Sequence, residues 1–150
     1  MTAAQVREIV NPDVSFDPAY YSGSLELAEE TIIKPILTKE LYDDVVADPA
    51  RYVDLLTYVF PALAYATAFM AYEKDLERHT ANQGIMENNT QYSVSAKDGA
   101  STRTLSKVKD NEFTYCKRLG QFLIDNADDY PLFDQTVISY EPNLRRFFPI

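Results

Sequence analysis

Apolar residues recur along this chain mostly at three- and four-residue spacing, and the breaks in that rhythm divide it into helices. Thr2 to Gln5 has the spacing of a capping box, and Val6, Ile9 and Val10 share one face, which predicts a short opening helix stopped at Asn11-Pro12. Residues 13–23 read as a loop in which Phe16, Tyr20 and Tyr21 anchor rings on the core. Ser24 is placed to cap a second helix with Leu25, Ala28, Ile32 and Ile36 on one face. Glu26, Glu29 and Glu30 lie near its positive N-terminal end, and Pro35 should end or kink it. Thr38 is placed to cap a further short helix, with Leu41, Tyr42, Val45 and Val46 apolar and Asp43 and Asp44 wet.

Asp48-Pro49 stops that helix and starts the next, Asp48 as a side-chain cap and Pro49 at a first position where no amide is missed. Tyr52, Leu56, Val59, Phe60 and Leu63 then recur at helical spacing, and Pro61 should kink or divide the segment. From Ala62 to Tyr72 the chain is apolar on nearly every face and rich in Ala, the composition of a central helix packed on several sides. Charge returns from Glu73 to Arg78, and Asn82 and Gly84 end the helix. Alternation at Tyr92, Val94 and Ala96 predicts a small β-hairpin or projecting loop over about residues 84–100.

A last long helix is expected from Thr102 to Asn126, with Leu105, Val108, Tyr115, Cys116, Leu119, Phe122 and Leu123 as its buried stripe and Asp110-Asn111-Glu112 as a weak middle. After Tyr130-Pro131 the helical period is lost. The predicted fold is mainly α: a helical bundle around a central Ala/Tyr-rich helix over residues 1–133, with an extended C-terminal arm over 134–150.

Composition narrows the chemistry. The 150 residues, 46% hydrophobic, suffice for one core. One cysteine excludes an intrachain disulfide and multi-cysteine metal sites, and one histidine excludes paired-histidine zinc motifs. The net charge of -9 is uneven: residues 1–80 carry 14 acids and 6 bases, residues 81–120 carry 4 and 6, and residues 121–150 carry 5 and 2. An acidic chain is a poor sequence-specific DNA reader, and Arg103, Lys107, Lys109, Lys117 and Arg118 read as a solvated helix face. The N-terminus lacks a stretch of signal-peptide length. The nearly uncharged run from Leu55 to Tyr72 contains Pro61, Thr and Tyr and reads as a buried helix, so no membrane partner is expected.

Nothing converges into an active site. Glycines occur only at 23, 84, 99 and 120, too far apart to cradle a phosphate. His79 lies in a charged helix end, Cys116 on a buried stripe, and Asn88-Asn89-Thr90 is a sequon without a secretory context. Adjacent acids such as Glu29-Glu30, Asp43-Asp44 and Asp128-Asp129 point about 100° apart on a helix and do not meet on one substrate. The expectation is a non-enzyme with no catalytic, cofactor or metal residues. Two segments look like assembly devices: the arm, with Tyr140, Leu144, Arg145, Arg146, Phe147, Phe148 and Ile150 as a partner interface, and the loop, with Met86, Asn88, Asn89, Tyr92 and Val94 between subunits.

Ile33 to Asp44, with its Leu41-Tyr42-Asp43, is followed by the Tyr- and Ala-rich helix, Asn82-Gln-Gly-Ile-Met86, a polar hairpin and a final long helix. This order of parts, over about residues 24–133, resembles the head-to-tail connector (adaptor) proteins of tailed bacteriophages, most of all neck ring proteins of crAss-like phages of Bacteroides. Thr38 stands where that family's Leu-Gly-x-x-Leu-Tyr pattern leads one to expect Gly. The resemblance implies a structural virion protein that forms a ring of 12 copies in the phage neck, connects portal to tail, and lets DNA pass unread. Its partners would be itself, the portal and other neck or tail proteins. It would reside in the virion neck, and in the host cytoplasm before assembly. A monomeric helical protein-binding adaptor with no virion role fits the same composition.

Overall fold

The structure, a computed structural model, describes residues 1–10, 19–83, 93–134 and 136, with backbone alone for 75–83 and 93–104. The described residues are predominantly helical and contain no strand. Helix α1 (Ala3–Val10) opens on the expected capping box: the Thr2 amide donates to Gln5 Oε1 at 2.8 Å, and the Gln5 amide donates back to Thr2 Oγ1 at 3.3 Å. Its Val6 is fully buried.

Helix α2 (Ala19–Ala28) corrects the loop expected up to Gly23 and the cap expected at Ser24. Tyr21, Ser24 and Ala28 occupy its buried face, with Leu25 partly buried beside them. Burial of the Tyr21 ring outweighs the roughly 1 kcal/mol that a mid-helix Gly23 costs, and the Ser-Gly-Ser run is carried along. Phe16 lies outside the described residues.

The helix then widens into a π segment, Glu29–Ile33, closed by the Lys34 amide bonding to the Glu29 carbonyl, and resumes as α3 (Lys34–Leu37). Pro35 explains the widening. A proline ring collides with the carbonyl four residues back and leaves it without a donor, and a π turn opens the ladder just where that conflict falls. Pro35 therefore neither ends the helix nor stops Ile32, Ile33, Ile36 and Leu37 from being buried together.

Thr38 joins α3 to α4 (Lys39–Ala47) at φ 65°, ψ 155°. Its side chain makes no cap bond; the hydroxyl donates instead to the Leu132 carbonyl at 3.2 Å. On α4, Leu41 and Val45 are buried, whereas Val46, expected on the same apolar face, is 60% exposed. Asp48 likewise gives no side-chain cap, but Pro49 does open a 3-10 turn, Pro49–Tyr52.

Helix α5 (Val53–Gln83) runs undivided through Pro61. It is the axis of the fold, touching α1, α2, the π segment, the 3-10 turn and α6. Ala62, Ala64, Ala66 and Ala68 are fully buried, so neighbouring backbones approach on several sides. The stretch Pro49–Lys74 is long and apolar enough to cross a membrane by length and composition alone. Of its most apolar window 44% is buried inside the fold, while Val53 and Phe60 stay exposed.

Helix α6 (Ser93–Asp125) returns antiparallel along α5. Tyr58 stacks on Phe122 with centroids 4.3 Å apart, and Tyr65 on Tyr115 at 4.8 Å, so seven residues forward on α5 are seven back on α6. The hairpin expected over 84–100 is corrected in its second half, because 93–100 are helical; residues 84–92 lie outside the described residues. Three alternating positions are too short a signal to stop a helix propagating back from a long packed segment. Glu112, expected to weaken α6, is 1% exposed, and Cys116 is buried.

Two apolar clusters result. The larger joins Ile33, Ile36 and Leu37 to Leu41, Leu55, Leu119, Leu123 and Phe133. The smaller joins Val6 and Tyr21 to Ala64, Ala68, Ala71 and Val108. Tyr130, Leu132 and Phe133 pack on the larger cluster, and α1 and α2 close the smaller.

Candidate functional site

The residues expected to bind partners fall mostly outside the described part of the chain. Tyr140, Leu144, Arg145, Arg146, Phe147, Phe148 and Ile150 of the arm, and Met86, Asn88, Asn89 and Tyr92 of the loop, all lie there; Val94 sits in the first turn of α6. What the structure does define is the root formed by residues 130–134, ahead of the arm residues, and the surface of the helical body.

The root is built by tyrosines. Phe133 is buried in the larger cluster, and the Leu132 carbonyl before it takes the Thr38 hydroxyl bond. Tyr130 stacks on Tyr52 at 6.2 Å and leans on Phe122 at 5.7 Å. The Tyr52 hydroxyl donates to the Asp44 carboxylate, which also faces Arg51 Nη1 at 3.5 Å, and the Arg51 guanidinium lies 5.5 Å over the Tyr52 ring. Beyond Phe133, the Asp134 carboxylate accepts from the Thr136 amide at 2.8 Å and from its hydroxyl at 2.6 Å.

These contacts hold protons on the phenols. The bond to Asp44 raises the Tyr52 pKa, with burial adding to it; burial raises Tyr130, with Asp54 and Asp129 adding to it. Tyr42 is pushed up to about 12 by burial and by its hydroxyl bond to Glu29 Oε1 at 2.9 Å. The two bonds from Thr136 hold the Asp134 carboxyl below its usual value. At neutral pH these phenols therefore stay protonated beside the Asp44 and Glu29 carboxyl groups that hold them.

The body also exposes apolar side chains that one would expect to be buried. Val53 is 63% exposed, Phe60 40%, Phe113 40% and Leu27 53%. Phe60 is the instructive case, since helical spacing placed it with Val59 and Leu63 in the core. It belongs instead to a second stripe, Val53-Thr57-Phe60, whose three- and four-residue steps are as visible in the sequence as those of the buried face. Among the basic residues of α6, Lys107, Lys109, Lys117 and Arg118 are exposed, with the Arg118 guanidinium 5.3 Å over the Tyr115 ring. An open cleft of 290 Å³ between α2 and α5, lined by Tyr20, Ser22, Gly23, Ser24, Ala71 and Lys74, carries one cation. Among the described residues no group of three or more His, Cys, Asp or Glu is placed to hold a metal ion.

Among the described residues, fold and surface define a helical bundle with residues 130–134 anchored on its larger apolar cluster and several apolar side chains exposed. The chain belongs to DUF6712, a family of unknown function, whose pattern it matches over residues 27–138. No curated protein and no solved structure matches it.

Proposed function

We propose that this protein is a structural subunit of a phage neck, which assembles with copies of itself into a ring between portal and tail and uses its C-terminal arm to hold a neighbouring component. The observation that carries the reading is the arm root. Thr38, Tyr52, Tyr130 and Phe133, from well-separated parts of the chain, converge to lock residues 130–134, while Val53 and Phe60 stay exposed on the body. A segment so firmly anchored at its base, and bearing Arg145, Arg146, Phe147 and Phe148 at its end, is suited to docking. The resemblance to connector proteins, over about residues 24–133, supplies the setting. The net charge of -9 suits a lumen through which DNA slides, since like charge keeps the phosphate backbone from adhering.

Negative-stain imaging of the purified protein with and without a portal tests this. Rings alone or on portal vertices are the expected result. Particles of subunit size under both conditions would leave the monomeric adaptor as the better reading.

A further inference from the structure

The cleft between α2 and α5 holds polar groups that the fold itself leaves unused. Ser24 lines it and is only 4% exposed, yet its hydroxyl makes no hydrogen bond among the described residues. A hydroxyl at such depth ordinarily has a partner, because desolvation without one is unfavourable. Lys74 lines the α5 wall, exposed, and forms no ion pair among the described residues; Glu73, the acid beside it in sequence, lies about 100° round the helix.

Gly23 lies on the α2 wall next to Ser24 and has only empty space where a Cβ would stand. The chain's own packing therefore does not require glycine at this mid-helix position, where alanine would serve the helix better. A bare backbone is of use where something else approaches closely.

We infer that this cleft binds a small oxyanion, a carboxylate or phosphate group, with the Lys74 ammonium and the Ser24 hydroxyl as its donors and Gly23 admitting it against the α2 backbone. The other two hydroxyls have their protons committed: Tyr20 donates to the Ala71 carbonyl at 3.1 Å and Ser22 to the Ala19 carbonyl at 2.7 Å. Ser24 and Lys74 are left as donors, which suits a ligand rich in acceptors, and a charged partner makes both bonds stronger. Tyr20 also meets Tyr21 and Tyr72 edge-on at 5.3 and 5.8 Å, so the wall is set before any ligand arrives. The cleft's 290 Å³ has room for either group together with water. It sits on the smaller apolar cluster, away from residues 130–134, and does not depend on the ring reading.

Thermal melts of the full-length protein in sodium phosphate, sodium acetate and sodium chloride, at matched ionic strength, test the site. Millimolar concentrations keep the salts below the range in which they act by surface exclusion. The midpoint should rise by a few degrees as phosphate or acetate passes about ten times its dissociation constant, and chloride should give no such rise. A response to acetate alone assigns the site to carboxylates, and one to phosphate alone assigns it to phosphates. Lys74→Gln should weaken the response on the order of tenfold in concentration and Ser24→Ala severalfold, with salt-free melting near wild type because neither side chain has a bond to lose. Gly23→Ala should melt at or above wild type without anion and respond less to it, a combination that a glycine serving the fold would not give. No rise beyond that in chloride, or a rise that survives all three substitutions, would overturn the site.

Discussion

Thr38 offers a quantitative test of how the arm root is held. At φ 65°, ψ 155° it occupies a region essentially reserved for glycine, where a residue with a Cβ costs about 1–3 kcal/mol. It is 6% exposed, and its hydroxyl bond to the Leu132 carbonyl contributes about 0.5–1.5 kcal/mol. Thr38→Gly would relieve the strain but lose that bond, a buried methyl of about 0.8 kcal/mol, and about 0.5–1 kcal/mol of backbone entropy, so it should be close to neutral. Thr38→Ala loses the same bond and methyl while keeping the strain, and should cost about 1.3–2.3 kcal/mol. Thr38→Val keeps shape and strain, removes only the hydroxyl, and should cost about 0.5–1.5 kcal/mol.

Urea and thermal melts followed by circular dichroism would rank the four proteins. At 150 residues each kcal/mol shifts the midpoint by about 2–4 °C. The informative pair is Gly against Ala, because helix and chain-entropy effects alone favour Ala, and only a positive φ inverts the order. An Ala variant as stable as Gly would refute the strained geometry, and a Val variant as stable as wild type would refute the clasp on Leu132.

Three further outcomes are expected. Ala66→Leu or Ala68→Leu should each lower stability by about 1–3 kcal/mol in denaturant melts, since both sites are fully buried in α5; wild-type melting in both would mean that the helix is not central. Tyr42 titrates near 12 in the folded state against 10.0 as a free side chain, so the unfolded chain releases that proton first: the stability it contributes is complete below pH 10 and is lost as pH rises through 12. Tyr42→Phe should therefore flatten the alkaline loss of stability, and an unchanged pH profile would count against the Glu29 bond. Deleting residues 139–150 should leave the melting of the isolated subunit nearly unchanged while abolishing co-sedimentation with portal, whereas Phe133→Ala should cost about 3–5 kcal/mol because that ring is in the core; a truncation that unfolds the subunit would place the arm in the fold instead.

The features legible from sequence alone were those whose physics is local. The Thr2–Gln5 capping box, Pro49 at the first position of a turn, and the Ala-rich, all-round apolar run of α5 each depend on neighbours within about one or two helical turns, and the structure shows all three. Where sequence spacing misled, the deciding partner was distant in the chain. The helix over 19–23 forms because Tyr21 finds Val6 and α5, and the segment over 93–100 stays helical as the leading part of a helix packed along α5. Phe60 and Val46 lie on apolar stripes that no described helix covers, and a stripe carries no mark of whether a neighbour will. Thr38 is the extreme case: its hydroxyl reaches a carbonyl 94 residues away, a bond that no spacing rule anticipates. Hydrogen-bond geometry and helical period act over a few residues and can be read from the chain in order. Burial is decided by what arrives from elsewhere, so which stripe becomes core and which stays exposed was settled only when the helices packed.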